Sequence, residues 1–192
     1  MNNQPTLYLD YDGVLHPADV RVTAAEPLRP RVYNGGPTNH LLFEHAPLLE
    51  RTLAPFPEVR LVLATNWVRT LGYEYTVQQL PQAMRERVIG TIWHGALLED
   101  PPRTRYDAIQ MDADARGLRH WLALDDDAEG WPHEKLYALI APNNAWYGLA
   151  QPGKPEELTE ALALLCNGQL LGARVQEAPH FPSTVERLFG PS

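Results

Sequence analysis

The sequence predicts an α/β fold class, with a single doubly wound, Rossmann-like and mostly parallel sheet that helices cover on both faces. Two observations support this prediction. Short apolar segments bounded by turn residues recur along the chain, and segments with helical periodicity lie between them. In such a sheet, ligands bind beyond the carboxyl ends of the strands. Polar residues that directly follow the apolar segments are therefore the first candidates for a site.

The apolar segments are short, continuous and rich in branched and aromatic side chains, which is typical of strands buried on both faces of a sheet. They cover residues 6–10, 59–65, 88–92, 120–125 and 136–141. The clearest helical pattern covers residues 155–168, and weaker ones cover 39–54 and 105–116. Pro47 is expected to delay or kink the helix in 39–54.

Length and composition favour one globular domain. The 192 residues are 44% hydrophobic, and we expect a single domain over 1–192 without a separate cap domain. Residues from about 13 to 38 contain several prolines and glycines without sustained periodicity, which predicts a long loop. No segment resembles a membrane span or a secretion signal, so we expect a cytoplasmic protein that does not contact membranes.

Three of the predicted strands end in polar residues of similar chemistry. These are Asp10 and Asp12 after the first, Thr65 and Asn66 after the second, and Asp125, Asp126 and Asp127 after a later one. Clustered carboxylates repel one another, and a hard divalent cation with oxygen ligands relieves this repulsion. Mg²⁺ fits best, because it retains water and shares the phosphate of a phosphorylated substrate. The histidine spacing argues against zinc.

The segment LYLDYDGVL, a hydrophobic strand followed by Asp, any residue, Asp and Gly, resembles the first motif of the haloacid dehalogenase-like (HAD) superfamily. The later motifs follow in the order that this family shows. The resemblance implies that Asp10 is a nucleophile forming an aspartyl-phosphate and that Asp12 is the general acid and base. Gly13 lets the backbone approach a ligand closely.

The later HAD motifs imply further roles. Thr65 matches the Ser or Thr that hydrogen-bonds the transferred phosphoryl group, and Asn66 follows it as a second substrate-binding candidate. The third motif supplies a lysine or arginine. No lysine precedes Lys135, so Arg103 and Arg105 are the candidates, and Arg105 is preferred because it opens a helical pattern before a strand.

The fourth motif resembles the paired acidic form of the family. It makes Asp126 the leading metal ligand and Asp125 the second, with an oxygen of Asp10 and the backbone carbonyl of Asp12 completing the protein ligands of Mg²⁺. Asp127 is interpreted as a turn residue.

Two residues outside these motifs are further candidates. His16, four residues after Asp12, is a candidate to contact substrate or orient a side chain. For Trp67, packing is favoured over base stacking.

Among HAD domains without a cap, the segments LDYDGVLHP, LVLATNW and WLALDDD resemble those of HAD domains associated with RNA-repair proteins. This resemblance implies a phosphatase acting on nucleic-acid ends. The net charge of −8 argues against a broad nucleic-acid-binding surface. A phosphatase of small molecules or nucleotides remains an alternative, as do a phosphotransferase and a non-catalytic phosphate-binding domain.

Overall fold

The structure is a computed structural model that describes residues 3–23, 26–33, 39–95 and 102–169. Its strands, in chain order, are β1 (Thr6–Leu9), β2 (Val20–Thr23), β3 (Glu26–Val32), β4 (Arg60–Leu63), β5 (Val88–Thr91), β6 (Trp121–Leu124) and β7 (Leu139–Ile140). Five of them form one parallel sheet in the order β5-β4-β1-β6-β7. The other two, β2 and β3, pair separately with each other.

The α-helices are α1 (Ala46–Leu53), α2 (Trp67–Leu71), α3 (Tyr73–Gln78), α4 (Gln82–Arg85), α5 (Arg105–Ala115) and α6 (Lys154–Cys166). Two 3₁₀ helices cover His133–Ala138 and Gly148–Ala150. Pro47 lies in the first turn of α1, where its missing N–H costs no helical hydrogen bond. This explains why the helix predicted over 39–54 begins at Ala46. None of the described helices has the length and apolar character needed to cross a membrane.

The central strand β1 shows how the sheet is covered. All four of its residues are buried, and successive side chains of a strand point to opposite faces, so both faces of the sheet carry covering structure. The predicted α/β fold class is therefore confirmed. The last predicted strand, 136–141, is shorter than expected, because residues up to Ala138 form a 3₁₀ helix.

The interval from 13 to 38, expected to be a loop, contains the antiparallel β2–β3 hairpin. Val20 pairs with Val32 and Arg21 with Arg31. The Val-Arg-Val sequence of β2 alternates apolar and polar residues, which favours a strand that is covered on one face only. Residues 24–25 and 34–38 of this interval lie outside the described part of the chain.

Helix α5 is fixed to the central strand through the buried carboxylate of Asp112. The Tyr8 hydroxyl of β1 donates to Asp112 Oδ2 at 2.8 Å, and Arg116 Nε donates to the same oxygen at 2.6 Å. His94 Nε2, from the segment after β5, lies 2.8 Å from Asp112 Oδ1. One buried carboxylate therefore joins α5 to β1 and to the segment that follows β5.

Candidate active site

The candidate site lies at the carboxyl edge of the sheet, beyond its three central strands. Leu9 of β1 is in register with Leu63 of β4 and with Leu124 of β6. The residues that follow these three leucines consequently emerge side by side. The chain turns to opposite sides of β1 to form β4 and β6, and this reversal of strand order is where open α/β sheets bind their ligands.

Asp10 is the first residue beyond β1, and its side chain is almost fully buried. Burial raises the pKa of Asp10, whereas the charge of Arg105, the Tyr11 backbone N–H and the Thr65 hydroxyl oppose that rise. Asp10 Oδ1 accepts no hydrogen bond from the described residues, although Arg105 Nη1 lies 3.4 Å away. One carboxylate oxygen of Asp10 is thus buried without a hydrogen-bond donor among the described residues.

Thr65 is fully buried beyond the end of β4, where its hydroxyl lies beside Asp10, lowers the pKa of that carboxyl and accepts from the Trp67 backbone N–H at 3.3 Å. Its carbonyl accepts from the Trp93 indole N–H at 2.8 Å. Thr65 therefore lies directly beside the predicted nucleophile. The neighbouring Asn66 is exposed, and its side chain does not cap α2.

Arg105 is the first residue of α5, and Thr104 caps this helix by accepting from the Asp107 backbone N–H at 3.1 Å. Its buried guanidinium donates to the Ala64 carbonyl, and Nη1 lies 3.4 Å from Asp10 Oδ1 and 3.5 Å from Asp125 Oδ2. Burial lowers the pKa of Arg105, but the nearby carboxylates outweigh this effect and raise it.

The second candidate cation, Arg103, is exposed just before α5. The guanidinium at the carboxylates is thus that of Arg105.

Three carboxylates of the site lie close enough to share one metal ion. One oxygen each from Asp10, Asp125 and Asp126 lies within 4.8 Å of the other two. Burial raises the pKa of Asp126 to about 7, with the charge of Asp10 adding to the rise. Burial and Asp10 likewise raise the pKa of Asp125 well above its usual value, against the opposing charge of Arg105.

These residues fit Mg²⁺ by the chemistry of their donors. Asp10 Oδ1 and Asp125 Oδ2 are buried oxygens that accept no hydrogen bond from the described residues. Hard carboxylate oxygens are the ligands that Mg²⁺ takes in proteins, and a bound cation would offset their desolvation. Asp127 lies at the turn, where its backbone N–H donates to Asp125 Oδ1 at 3.0 Å and its Oδ1 accepts from the Glu129 N–H at 2.9 Å.

Gly13 has a positive φ of +68° and lies against the side chain of Asp126. A Cβ at this position would overlap the Asp126 carboxylate. The backbone of Gly13 thus lies close to a candidate metal ligand, and its approach to a bound ligand stays a prediction. A larger residue here would both strain the backbone and displace Asp126.

The Asp12 carboxylate is partly exposed and is absent from the set of three carboxylates that can share a metal ion. The Trp67 indole N–H donates to its two oxygens at 3.0 and 3.1 Å, and His16 Nε2 lies 3.0 Å from Oδ1. Burial raises the pKa of Asp12 to about 7, and the charge of Asp10 contributes to the rise. Asp12 is thus positioned to exchange a proton near neutral pH.

His16 and Trp67, the two side chains that contact Asp12, were predicted from the sequence to different extents. His16 is buried, and burial with the nearby His45 lowers its pKa to about 4, so its ring is neutral. Its Nε2 contacts Asp12, and the orientation of that carboxylate by His16 stays a prediction. Trp67 is buried, as expected, but its hydrogen bond to Asp12 is an additional role that sequence reasoning missed. Its position directly after the polar end of β4 was the available signal.

The chain matches a known protein family over most of its length. The model of the HAD domain in Swiss Army Knife RNA repair proteins matches residues 6–152. This range includes all of the predicted site residues. No curated protein and no solved structure matches the chain.

Proposed function

Since this chain belongs to the family of HAD domains in Swiss Army Knife RNA repair proteins, we propose that it is a Mg²⁺-dependent phosphohydrolase in which Asp10 takes the phosphoryl group. One observation supports this most directly. The buried Asp10 combines a carboxylate oxygen without a hydrogen-bond donor, a neighbouring guanidinium and two further carboxylates that can share a cation with it. A site for phosphoryl transfer needs these components together.

The separation of the two carboxylates beyond β1 supports a division of labour. Asp10 is held among Thr65 and Arg105, whereas Asp12 is held apart from them by Trp67 and His16. A nucleophile has to be ionised, and the cationic Arg105 favours that form of Asp10. An acid and base works best with a pKa near the operating pH, which matches the value of about 7 for Asp12.

The proposed reaction has two displacements at phosphorus. In the first, an Asp10 oxygen forms a bond to phosphorus while the ester P–O bond breaks, and protonated Asp12 gives its proton to the departing oxygen. In the second, Asp12 takes a proton from water as the water oxygen bonds to phosphorus, and the bond from phosphorus to Asp10 breaks. Inorganic phosphate leaves, and both carboxyl groups return to their starting states.

Two further groups are assigned to the phosphoryl oxygens. The Arg105 guanidinium can contact two oxygens at once and stabilise charge that develops during transfer, and the Thr65 hydroxyl can donate to a third. Mg²⁺, held by Asp10, Asp125, Asp126 and the Asp12 carbonyl, would neutralise phosphate charge and orient the substrate.

For the substrate, we propose terminal phosphates of nucleic acids. The description of the matching family as a domain of RNA repair proteins supports this choice. The net charge of −8 favours a second candidate, a phosphatase of nucleotides or other small phosphomonoesters, because acidic surfaces repel polyanions. If the substrate is a nucleic acid, the acidic surface predicts that this protein contacts only the terminal part of the nucleic-acid strand.

Acetyl phosphate provides a test of the nucleophile, because its leaving group needs no proton from the enzyme. We expect wild type with Mg²⁺ to release phosphate from it. Asp12→Asn should accumulate a phosphoryl group, since no base activates water, and Asp10→Asn should not. Intact-mass measurement detects the adduct, and hydroxylamine should remove it because it is an acyl phosphate.

The outcomes distinguish the proposed reaction from its rivals. Phosphate release that persists in Asp10→Asn would overturn the assignment of the nucleophile. An adduct that forms in wild type and leaves only when an alcohol acceptor is added indicates a phosphotransferase. Phosphate binding without any adduct in either Asp12→Asn or wild type indicates a non-catalytic domain. Terminally phosphorylated oligonucleotides and mononucleotides, compared by kcat/KM, then separate the two substrate candidates.

A further inference from the structure

A cavity of about 130 Å³ opens beside Asp12, between the β2–β3 hairpin and helix α2. Asp12 lines it, but Asp10, Arg105 and the two other candidate metal ligands do not. In the proposed reaction Asp12 is the group that protonates the departing oxygen. A cavity that begins at this carboxylate therefore lies on the leaving-group side of the phosphate.

The hairpin supplies an apolar wall of the cavity. Val20 and Val22 alternate with Arg21 along β2 and so point to the same face, and Pro30 lines the cavity from β3. Arg21 points away from this face and forms an ion pair with Asp19, at 2.9 Å between Nε and Oδ1. Val22 is 43% exposed, so this wall presents apolar surface that the protein itself leaves partly uncovered.

Helix α2 supplies the opposite wall, which combines apolar and hydrogen-bonding groups. Trp67 and Leu71 contribute apolar surface, and the indole N–H of Trp67 is already committed to Asp12. Thr70 donates to the Asn66 carbonyl at 3.3 Å. Because the Asn66 side chain does not cap α2, its amide can donate to and accept from a ligand.

Size and charge limit what this cavity can hold. Pockets for complete drug-sized ligands measure roughly 300–1,000 Å³, so a cavity of about 130 Å³ suits one compact group. Of the described residues that line it, none is a lysine or arginine, and Asp12 contributes negative charge. A second phosphate group would find no cationic partner there. The occupant is thus a compact, uncharged group with apolar faces and a hydrogen-bonding edge.

We propose that this cavity binds the base of the nucleoside that carries the scissile phosphate. A nucleobase has apolar faces to lie against the hairpin valines and Leu71, and a donor–acceptor edge that the Asn66 amide can read. The proposal rests on the proposed phosphatase function, because it requires Asp12 to reach the departing oxygen. In a nucleic-acid substrate, the nucleotides beyond the terminal nucleoside, with their phosphates, would lie outside the cavity.

Ribose 5-phosphate and nucleoside 5′-monophosphates provide a matched test, because they share the same departing oxygen and differ by the base. We expect kcat/KM to be about 10- to 100-fold higher with the base, the range that one well-fitted contact group provides. A 5′-phosphorylated oligonucleotide and its counterpart with an abasic terminal nucleoside should show the same ratio. A phosphotyrosine peptide should be a poorer substrate than either nucleotide form.

Variants on the two faces of β2 locate the effect. Val22→Trp fills the cavity and should bring the ratio of kcat/KM with and without the base toward one. Arg21→Trp adds the same side chain to the opposite face of the same strand and should leave the ratio at its wild-type value. A thermal melt of both variants checks that the hairpin change has not unfolded the protein.

Failure of this inference can be told apart from failure of the proposed function. If acetyl phosphate is hydrolysed through Asp10 but the base changes kcat/KM by less than twofold, the cavity assignment is overturned and the phosphatase stands. Preference for the phosphotyrosine peptide also overturns it. If no substrate is turned over, calorimetry of adenosine 5′-monophosphate and ribose 5-phosphate with Asp10→Asn decides the matter. Equal affinities for the two ligands overturn the inference. Tighter binding of adenosine 5′-monophosphate supports it if Val22→Trp abolishes the difference.

Discussion

Asp12 lies between two regions of the molecule that are held in place by different contacts. On one side is the carboxyl edge of the five-stranded sheet, where β1 pairs along its length with both β4 and β6. On the other is the β2–β3 hairpin, whose two strands form a separate sheet in the described part of the chain. Residues at the sheet edge are therefore fixed by strand pairing within the buried core, whereas the hairpin has its own strand pairing and packs on that core through Val20. We infer that the chemistry depends on the first region and the choice of leaving group on the second.

The strongest test of this contrast is Asp10→Asn at the sheet edge. We expect phosphate release to fall by ~10³-fold or more, because the nucleophile is lost. Without Mg²⁺, the variant should resist urea at least as well as wild type, since one member of a buried carboxylate cluster becomes neutral. Asp19→Asn at the start of the hairpin serves as the control and should retain turnover of acetyl phosphate.

Arg105→Ala should produce the next largest effect. It removes the cation nearest to Asp10 and Asp125, and breaking a buried ion pair costs about 3–5 kcal/mol. Urea unfolding in the absence of Mg²⁺ measures this loss, and added Mg²⁺ should recover part of it. The exposed Arg103→Ala should change stability by no more than about 0.5 kcal/mol. Equal losses in the two variants would contradict the role given to Arg105.

Addition of Mg²⁺ should stabilise the wild-type protein against heat. A ligand at 100 times its dissociation constant contributes about 2.7 kcal/mol, and chelation with EDTA should reverse the shift. Asp126→Asn should lose most of the shift, because Asp126 belongs to the set of three carboxylates. Its neighbour Asp127→Asn should keep it. A full Mg²⁺ shift in Asp126→Asn would place the ion elsewhere.

Gly13→Ala should destabilise the protein by about 1–3 kcal/mol from its positive φ and reduce the Mg²⁺ shift as well. The second effect follows from the overlap between a Cβ and Asp126. Gly153→Ala is a matched control, since Gly153 also has a positive φ but no neighbour within 4 Å of an added Cβ. The difference between the two variants in thermal melts isolates the contact with Asp126.

The smallest effect is expected on the outer face of the hairpin. Arg21 pairs with Asp19 and lies over the Tyr33 ring at 4.1 Å, but it is exposed. Arg21→Ala should therefore leave the thermal melt nearly unchanged and acetyl phosphate hydrolysis at the wild-type rate. A loss of turnover comparable with that of Arg105→Ala would mean that the hairpin takes part in the chemistry.

The sequence predicted the sheet edge well for a physical reason. Strands buried on both faces need continuous apolar segments, and parallel strands bring their carboxyl ends to one edge of the sheet. The apolar segments before Asp10, Thr65 and Asp125 therefore predict that these three residues lie close together. The preference for Arg105 followed from its place at the start of a helix. Which side chain then bonds to which is not contained in that pattern, and the link from Trp67 to Asp12 spans 55 positions.

The hairpin was harder to predict because the alternation in its first strand is brief and its second strand contains two prolines. Only Val20, Arg21 and Val22 alternate in β2, and Pro30 in β3 weakens the strand signal since proline cannot donate a hydrogen bond to a ladder. The prolines and glycines of the interval favoured a loop. Since specific pairing such as that of Val20 with Val32 arises from tertiary contacts, periodicity alone did not indicate it.

The buried carboxylate of Asp112 has a consequence for the rate of the proposed reaction. It bonds to Tyr8, two residues before Asp10, and it belongs to the helix that begins with Arg105. Asp10, the proposed nucleophile, and the Arg105 guanidinium therefore lie on two elements that Asp112 joins at a distance from the site. Such a site is preorganised: little reorientation of these charged groups is needed when a phosphate arrives, so less of its binding energy goes into arranging them.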